Sequence, residues 1–186
     1  MSALLQLWLP ILLSSVVVFV ASSLIHMLTK WHAGDYRKLP DQEKARAAIG
    51  ALRIPPGDYC LPRPDNMKDM GTPEFLDKLR QGPRVIMTVQ PNEVVNMGKM
   101  LAAWFLYIVA ISFCSGLAAL HAVGDPPSHT RIFHFVGITA LMGYSGALAQ
   151  MAIWYGRSWT TTIKSMIDGL IYALLTAETF SLLWPR

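Results

Sequence analysis

The sequence predicts an all-α membrane protein, with four transmembrane helices in a bundle and one mixed, partly helical loop between the first and second. Composition and charge placement carry this reading. Hydrophobic residues make up 53% of the 186 positions and charged residues only 15%. Twelve of the sixteen Lys and Arg residues lie between Lys30 and Lys99. A soluble domain spreads charge over its whole surface, whereas a bilayer forces it out of the lipid-facing runs.

A helix rises about 1.5 Å per residue, so roughly 20 apolar residues cross a hydrocarbon core about 30 Å thick. The first run of that length is about 4–28. No Lys or Arg precedes it and no small-x-small cleavage site closes it, so it reads as a retained anchor rather than a signal peptide. The second is about 100–123. The third, about 132–155, follows Gly124-Asp125-Pro126-Pro127, which cannot continue a helix. The fourth is about 163–184. Trp8, Trp31, Trp104, Trp154, Tyr155, Trp159 and Trp184 fall near these ends, at the depth where an aromatic ring is dehydrated and its polar tip stays wet.

Loop 30–99 predicts two short helices. In 41–52, alanines and alternating charges suit a solvated helix. In 73–81, Thr72 caps the start, Pro73 occupies the first turn, and Gly82 stops the chain. The proline-dense Ile54 to Pro64 must be extended or turned, and Arg84 to Val89 reads as one short strand without a sheet partner. Cys60 lies in the loop and Cys114 in an apolar run, so two free thiols are expected.

Orientation follows from the basic residues, because Lys and Arg resist translocation. Loop one holds twelve and the third connection adds Arg157 and Lys164, against Arg131 and Arg186 on the other face. The loop is therefore expected in the cytoplasm and both termini outside, which in a bacterial inner membrane is the periplasm.

The Gly57-Asp58-Tyr59-x-x-Pro62-x-Pro64 stretch, together with Ile167 to Pro185 (IDGLIYALLTA-x-TF-x-x-LWP), resembles a family of bacterial multi-pass inner-membrane proteins of unknown function. The resemblance covers the loop and the last three crossings. It implies a multi-pass membrane fold and no activity. Glu178 departs from the pattern, where a small residue is expected.

Asp168 and Glu178 are the only acids in the apolar runs, and an ionisable group within a membrane is a functional hypothesis by default. Ten residues of rotation leave them about 80° apart, so they do not form a dyad. Lys164, four residues before Asp168, is the expected partner of that acid. Tyr172, Thr176 and Thr179 share its face, as a polar stripe that either lines a wet pathway or makes interhelical hydrogen bonds. Ser165, Gly169, Ala173, Ala177 and Ser181 recur every four positions, a small face suited to close helix packing. Helix three offers Thr139, Gly143, Gly146 and Gln150, and helix two Ser112, Gly116 and Ala119. These faces serve an internal bundle or, alternatively, a homo-oligomer or larger membrane complex.

His121 and His134 flank the outer turn with His129 between them, and His26 and His32 straddle the inner end of helix one. A haem pair would need further facing histidines on helices two to four, so neither cofactor nor metal is expected. No phosphate-cradling glycine motif, His-Glu-x-x-His or nucleophilic triad order is present, so no catalytic residue is expected. A net charge of +4 without a basic stripe interleaved with aromatics excludes a nucleic-acid partner. The lipid bilayer is the one partner composition requires. The leading functional expectation is a non-catalytic accessory or scaffolding subunit. The alternative is a small oligomeric transporter or channel using Asp168 and the polar face of helix four.

Overall fold

A computed structural model describes residues 3–185. The chain divides into two units, Met1–Tyr36 with Asn96–Arg186, and Arg37–Val95. The first seven residues of the predicted loop, 30–36, thus belong to the helical unit.

In that unit a short α1 (Ala3–Gln6) leads into α2 (Trp8–Met27). In the second unit, α3 (Gln42–Ala51) begins at Asp41, whose carboxylate accepts the Lys44 amide at 3.0 Å. This bond is the main reason the Asp41 carboxyl sits below its ordinary value of 3.8. A depressed folded-state value means the cap stabilises α3 above that pH and is lost as pH falls through the lowered value. Amide protection at Lys44 is therefore expected to fall on acidification through this range, and an Asp41→Ala variant to lose that response in hydrogen-exchange measurements.

Strand β1 (Gly57–Leu61) pairs antiparallel with β2 (Val85–Val89), Asp58 opposite Thr88, and the Thr88 hydroxyl donates to the Asp58 carboxylate at 2.6 Å. The missing partner of the predicted strand is thus the proline-flanked segment itself. Between the strands, a 3-10 turn at Met67–Gly71 precedes α4 (Pro73–Gln81). The Thr72 hydroxyl accepts the Phe75 amide, and Gly82 ends the helix with φ 62°, a conformation that favours glycine. These are the predicted signals in their predicted places.

The helical unit continues with α5 (Met97–Ala122), α6 (His129–Ser145), α7 (Leu148–Ile153) and α8 (Trp159–Leu183). Among the described residues, four helical stretches are long and apolar enough to cross a membrane: α2, α5, α6 with α7, and α8. They close a ring in which α2 and α6 each pack on both α5 and α8. The third crossing, expected as one helix, is interrupted after Ser145. There the Ser145 hydroxyl donates to the Met166 carbonyl of α8 at 3.2 Å, and Gly146 follows.

Lipid is as apolar as a leucine core, so these helices are held by close packing and hydrogen bonds more than by expulsion of water. Gly169, Ala173, Ala177 and Ser181 are buried and Ser165 half-buried, so the small face of α8 is used within its own chain. A Cβ on Gly116 would lie 2.8 Å from the Phe180 ring, and one on Gly137 3.3 Å from the Ala177 Cβ. Helix two presents its expected face, Ser112, Gly116 and Ala119, inward. Helix three does not. Its buried residues are Ile132, Val136, Ala140, Tyr144 and Ser145, while Gly143, Gly146 and Gln150 are exposed. Thr139 donates to the Phe135 carbonyl at 2.8 Å, which satisfies its hydroxyl without an interhelical partner. Cys60 and Cys114 are both free and exposed.

Candidate functional site

The interior of the helical unit is layered. At the end formed by the start of α2 and the close of α8, Leu7, Ile11, Val123, Ile132, Val136 and Phe180 pack as an apolar cluster. Deeper, polar side chains gather. Ser14 and Ser15 of α2 lie 3.1 and 3.4 Å from the Ser112 hydroxyl of α5. Beside them are Ser115, Tyr144, Tyr172 and Thr176, all buried. The two tyrosine rings meet edge to face with centroids 5.6 Å apart.

Most of these hydroxyls have internal partners, as Thr176 does on the Tyr172 carbonyl at 2.8 Å. Three do not: among the described residues the hydroxyls of Ser115, Tyr144 and Tyr172, and apart from them that of Thr162 near the start of α8, are buried without a hydrogen-bond partner. An unpaired buried hydroxyl costs about 1–3 kcal/mol, so the three that gather here mark a place that water must serve.

One turn below Tyr172 lies Asp168, only 4% exposed. Its partner is not Lys164. The chain leaving α2 turns back over residues 28–36 and places the His32 Nε2 2.7 Å from the Asp168 carboxylate. The other ring nitrogen of His32, Nδ1, lies 2.6 Å from the Asp35 carboxylate. Lys164 points to this turn instead. Its ammonium donates to the Trp31 carbonyl at 2.7 Å and to Asp35 at 3.1 Å, and lies 5.4 Å from the Trp31 ring centre. The hydrogen bond from His32, aided by the bond and charge of Lys164 and opposed by burial, holds the Asp35 carboxyl below its ordinary value of 3.8.

His26 completes the cluster, its ring stacked on His32 at 4.5 Å and nearly parallel. Its Nδ1 lies 2.9 Å from the Ser22 carbonyl, which can only accept, so Nδ1 is the donor there and Nε2 is not used in that contact. Ser22 also accepts the Trp104 indole N–H through its hydroxyl at 2.9 Å, tying α2 to α5 here.

The structure therefore joins Asp168, Tyr172 and Thr176, as their shared face implied, and adds His26, His32 and Asp35, whose association the sequence did not reveal. The one usable signal was depth, since His32 sits at the inner end of helix one and Asp168 at the inner end of helix four. Glu178 stands apart, with its side chain half exposed and His129 4.0 Å away. His121 and His134 are exposed, and the nearest polar contact of His121 is the carbonyl of Leu117 on its own helix. Comparison with protein-family models, curated proteins and solved structures finds no match.

Proposed function

We propose that this chain is a small ion-handling membrane protein of the transporter type, with Asp168 as the ion-binding carboxylate and the hydroxyls above it as a hydrated pathway. One observation carries the reading: a buried intramembrane acid one turn from the buried Tyr172, whose hydroxyl, like those of Tyr144 and Ser115, lacks a protein partner. Intramembrane acids facing a polar interior recur along ion pathways. The apolar layer of Leu7, Ile11, Val123 and Phe180 closes the far end, which suits a gated or alternating pathway rather than an open pore. The polar interior lies within one chain, so this reading needs no oligomer.

The reading includes a bacterial inner membrane, with loop 30–99 in the cytoplasm and both termini in the periplasm. Its support is the resemblance of the loop and last helix and the distribution of Lys and Arg. The competing reading, an accessory or scaffolding subunit, predicts no flux from any form of the protein.

Liposomes with trapped pH- and zinc-sensitive dyes decide between them. The parent protein is expected to pass one of these ions, Asp168→Asn to reduce the rate at least tenfold, and Thr176→Val to reduce it less. Parent flux equal to that of empty liposomes, in protein whose helicity and thermal melting are normal, would contradict the proposal.

A further inference from the structure

We infer that His26, His32 and Asp168 form a binding site for a divalent first-row transition-metal ion of the zinc class. The inference deepens the ion-handling reading by naming the ion, and rests on that reading for transit but not for binding. One ligand atom from each residue lies within 4.8 Å of the other two. A tetrahedral zinc with bonds of about 2.0–2.2 Å places its ligands roughly 3.4 Å apart, so modest side-chain rotations close the site. The rings of His26 and His32 lie nearly parallel, so His26, the exposed one, makes the larger rotation, turning out of the stack to bring its Nε2 onto the same ion.

The orientation of the two rings is the stronger argument. Metal-binding imidazoles use one nitrogen for the ion and donate the other N–H to a carbonyl or carboxylate that fixes the ring. Each histidine already has that second contact. The His26 Nδ1 engages the Ser22 carbonyl and the His32 Nδ1 engages Asp35, so Nε2 is the atom each offers to the ion, the His32 Nε2 exchanging its 2.7 Å contact with Asp168 for a shared metal. Asp35 is itself anchored by Lys164 at 3.1 Å.

The donor set selects the ion class. Two imidazoles with one carboxylate suit zinc and its first-row neighbours, whereas calcium and magnesium require all-oxygen shells. Three protein ligands also leave a fourth position open. An exchangeable ligand there is what an ion in transit needs.

The test is Zn²⁺ titration of the full-length protein in detergent by calorimetry, with Co²⁺ as a spectroscopic reporter of ligand geometry. One ion per chain is expected, with Co²⁺ showing the visible absorption of low-coordinate nitrogen and oxygen ligation. His26→Ala removes an exposed ligand and should leave folding intact, yet weaken binding at least tenfold. Asp35→Asn should weaken it about 10- to 100-fold by releasing the His32 ring. His121→Ala, outside the site, should change nothing. Unaltered binding in His26→Ala, or no binding by folded parent protein, would overturn the site. The two proposals separate cleanly, since proton flux without zinc binding defeats only the metal site, and zinc binding without any flux defeats only the transport reading.

Discussion

Replacing His32 by alanine is expected to destabilise the helical unit by about 3 kcal/mol, because it strands a buried carboxylate. Deleting one partner of a buried, hydrogen-bonded carboxylate costs about 3 kcal/mol, because the carboxylate stays buried and loses its hydrogen bond. The same substitution releases Asp35 from its 2.6 Å contact and leaves it to Lys164 alone. The His32→Ala/Asp168→Leu double variant should recover much of the loss, since an apolar residue at 168 needs no partner. A coupling energy of about 1–3 kcal/mol is expected for a pair in direct contact. Unfolding in mixed micelles measures it. Additive losses would show that the two side chains do not act on each other.

The second large effect is expected at Gly169, directly after Asp168. A Cβ there would run into the Ser145 hydroxyl and lie 3.1 Å from the Tyr144 Cβ. Gly169→Val should therefore push α8 from the broken end of α6, at a cost of about 1–3 kcal/mol for overpacking. That displacement also moves Asp168 away from His32, so zinc affinity should fall along with thermal stability. Gly143→Ala is the milder case: its Cβ would meet only side-chain atoms of Ile111, at 3.2 Å, so a smaller loss is expected. A melting temperature for Gly169→Val equal to that of the parent would show that α8 and α6 do not approach as closely as described.

Which parts of this structure were legible follows from the range of the interactions. The crossings were readable because lipid imposes a composition on 20 consecutive residues, and α4 because Thr72, Pro73 and Gly82 each act on the nearest turn. The small face of α8 was readable as a four-residue period. What escaped was non-local. His32 and Asp168 are 136 residues apart in sequence, and nothing local favours that pair over Lys164 at i-4. The pairing of β1 with β2 is non-local in the same way.

The inward face of helix three was misassigned for a different reason. Its polar positions were expected inside, but a bilayer does not sort polar from apolar faces when a hydroxyl can satisfy itself on its own helix, as Thr139 does. Shape decided instead, placing Ala140 and Tyr144 against α5 and α8. The same logic makes the unpaired hydroxyls of Tyr144 and Tyr172 informative, since neither found such an internal acceptor.

Water in that interior is the physical condition on which the ion-handling account stands. Water-edited solid-state NMR of the protein in lipid bilayers, with labelled tyrosine and phenylalanine, measures it directly. The account predicts rapid magnetisation transfer from water to the side chains of Tyr144 and Tyr172, and none to the equally buried Phe180 in the apolar layer. Tyrosine signals as slow to appear as that of Phe180 would mean a dry bundle, and would contradict it.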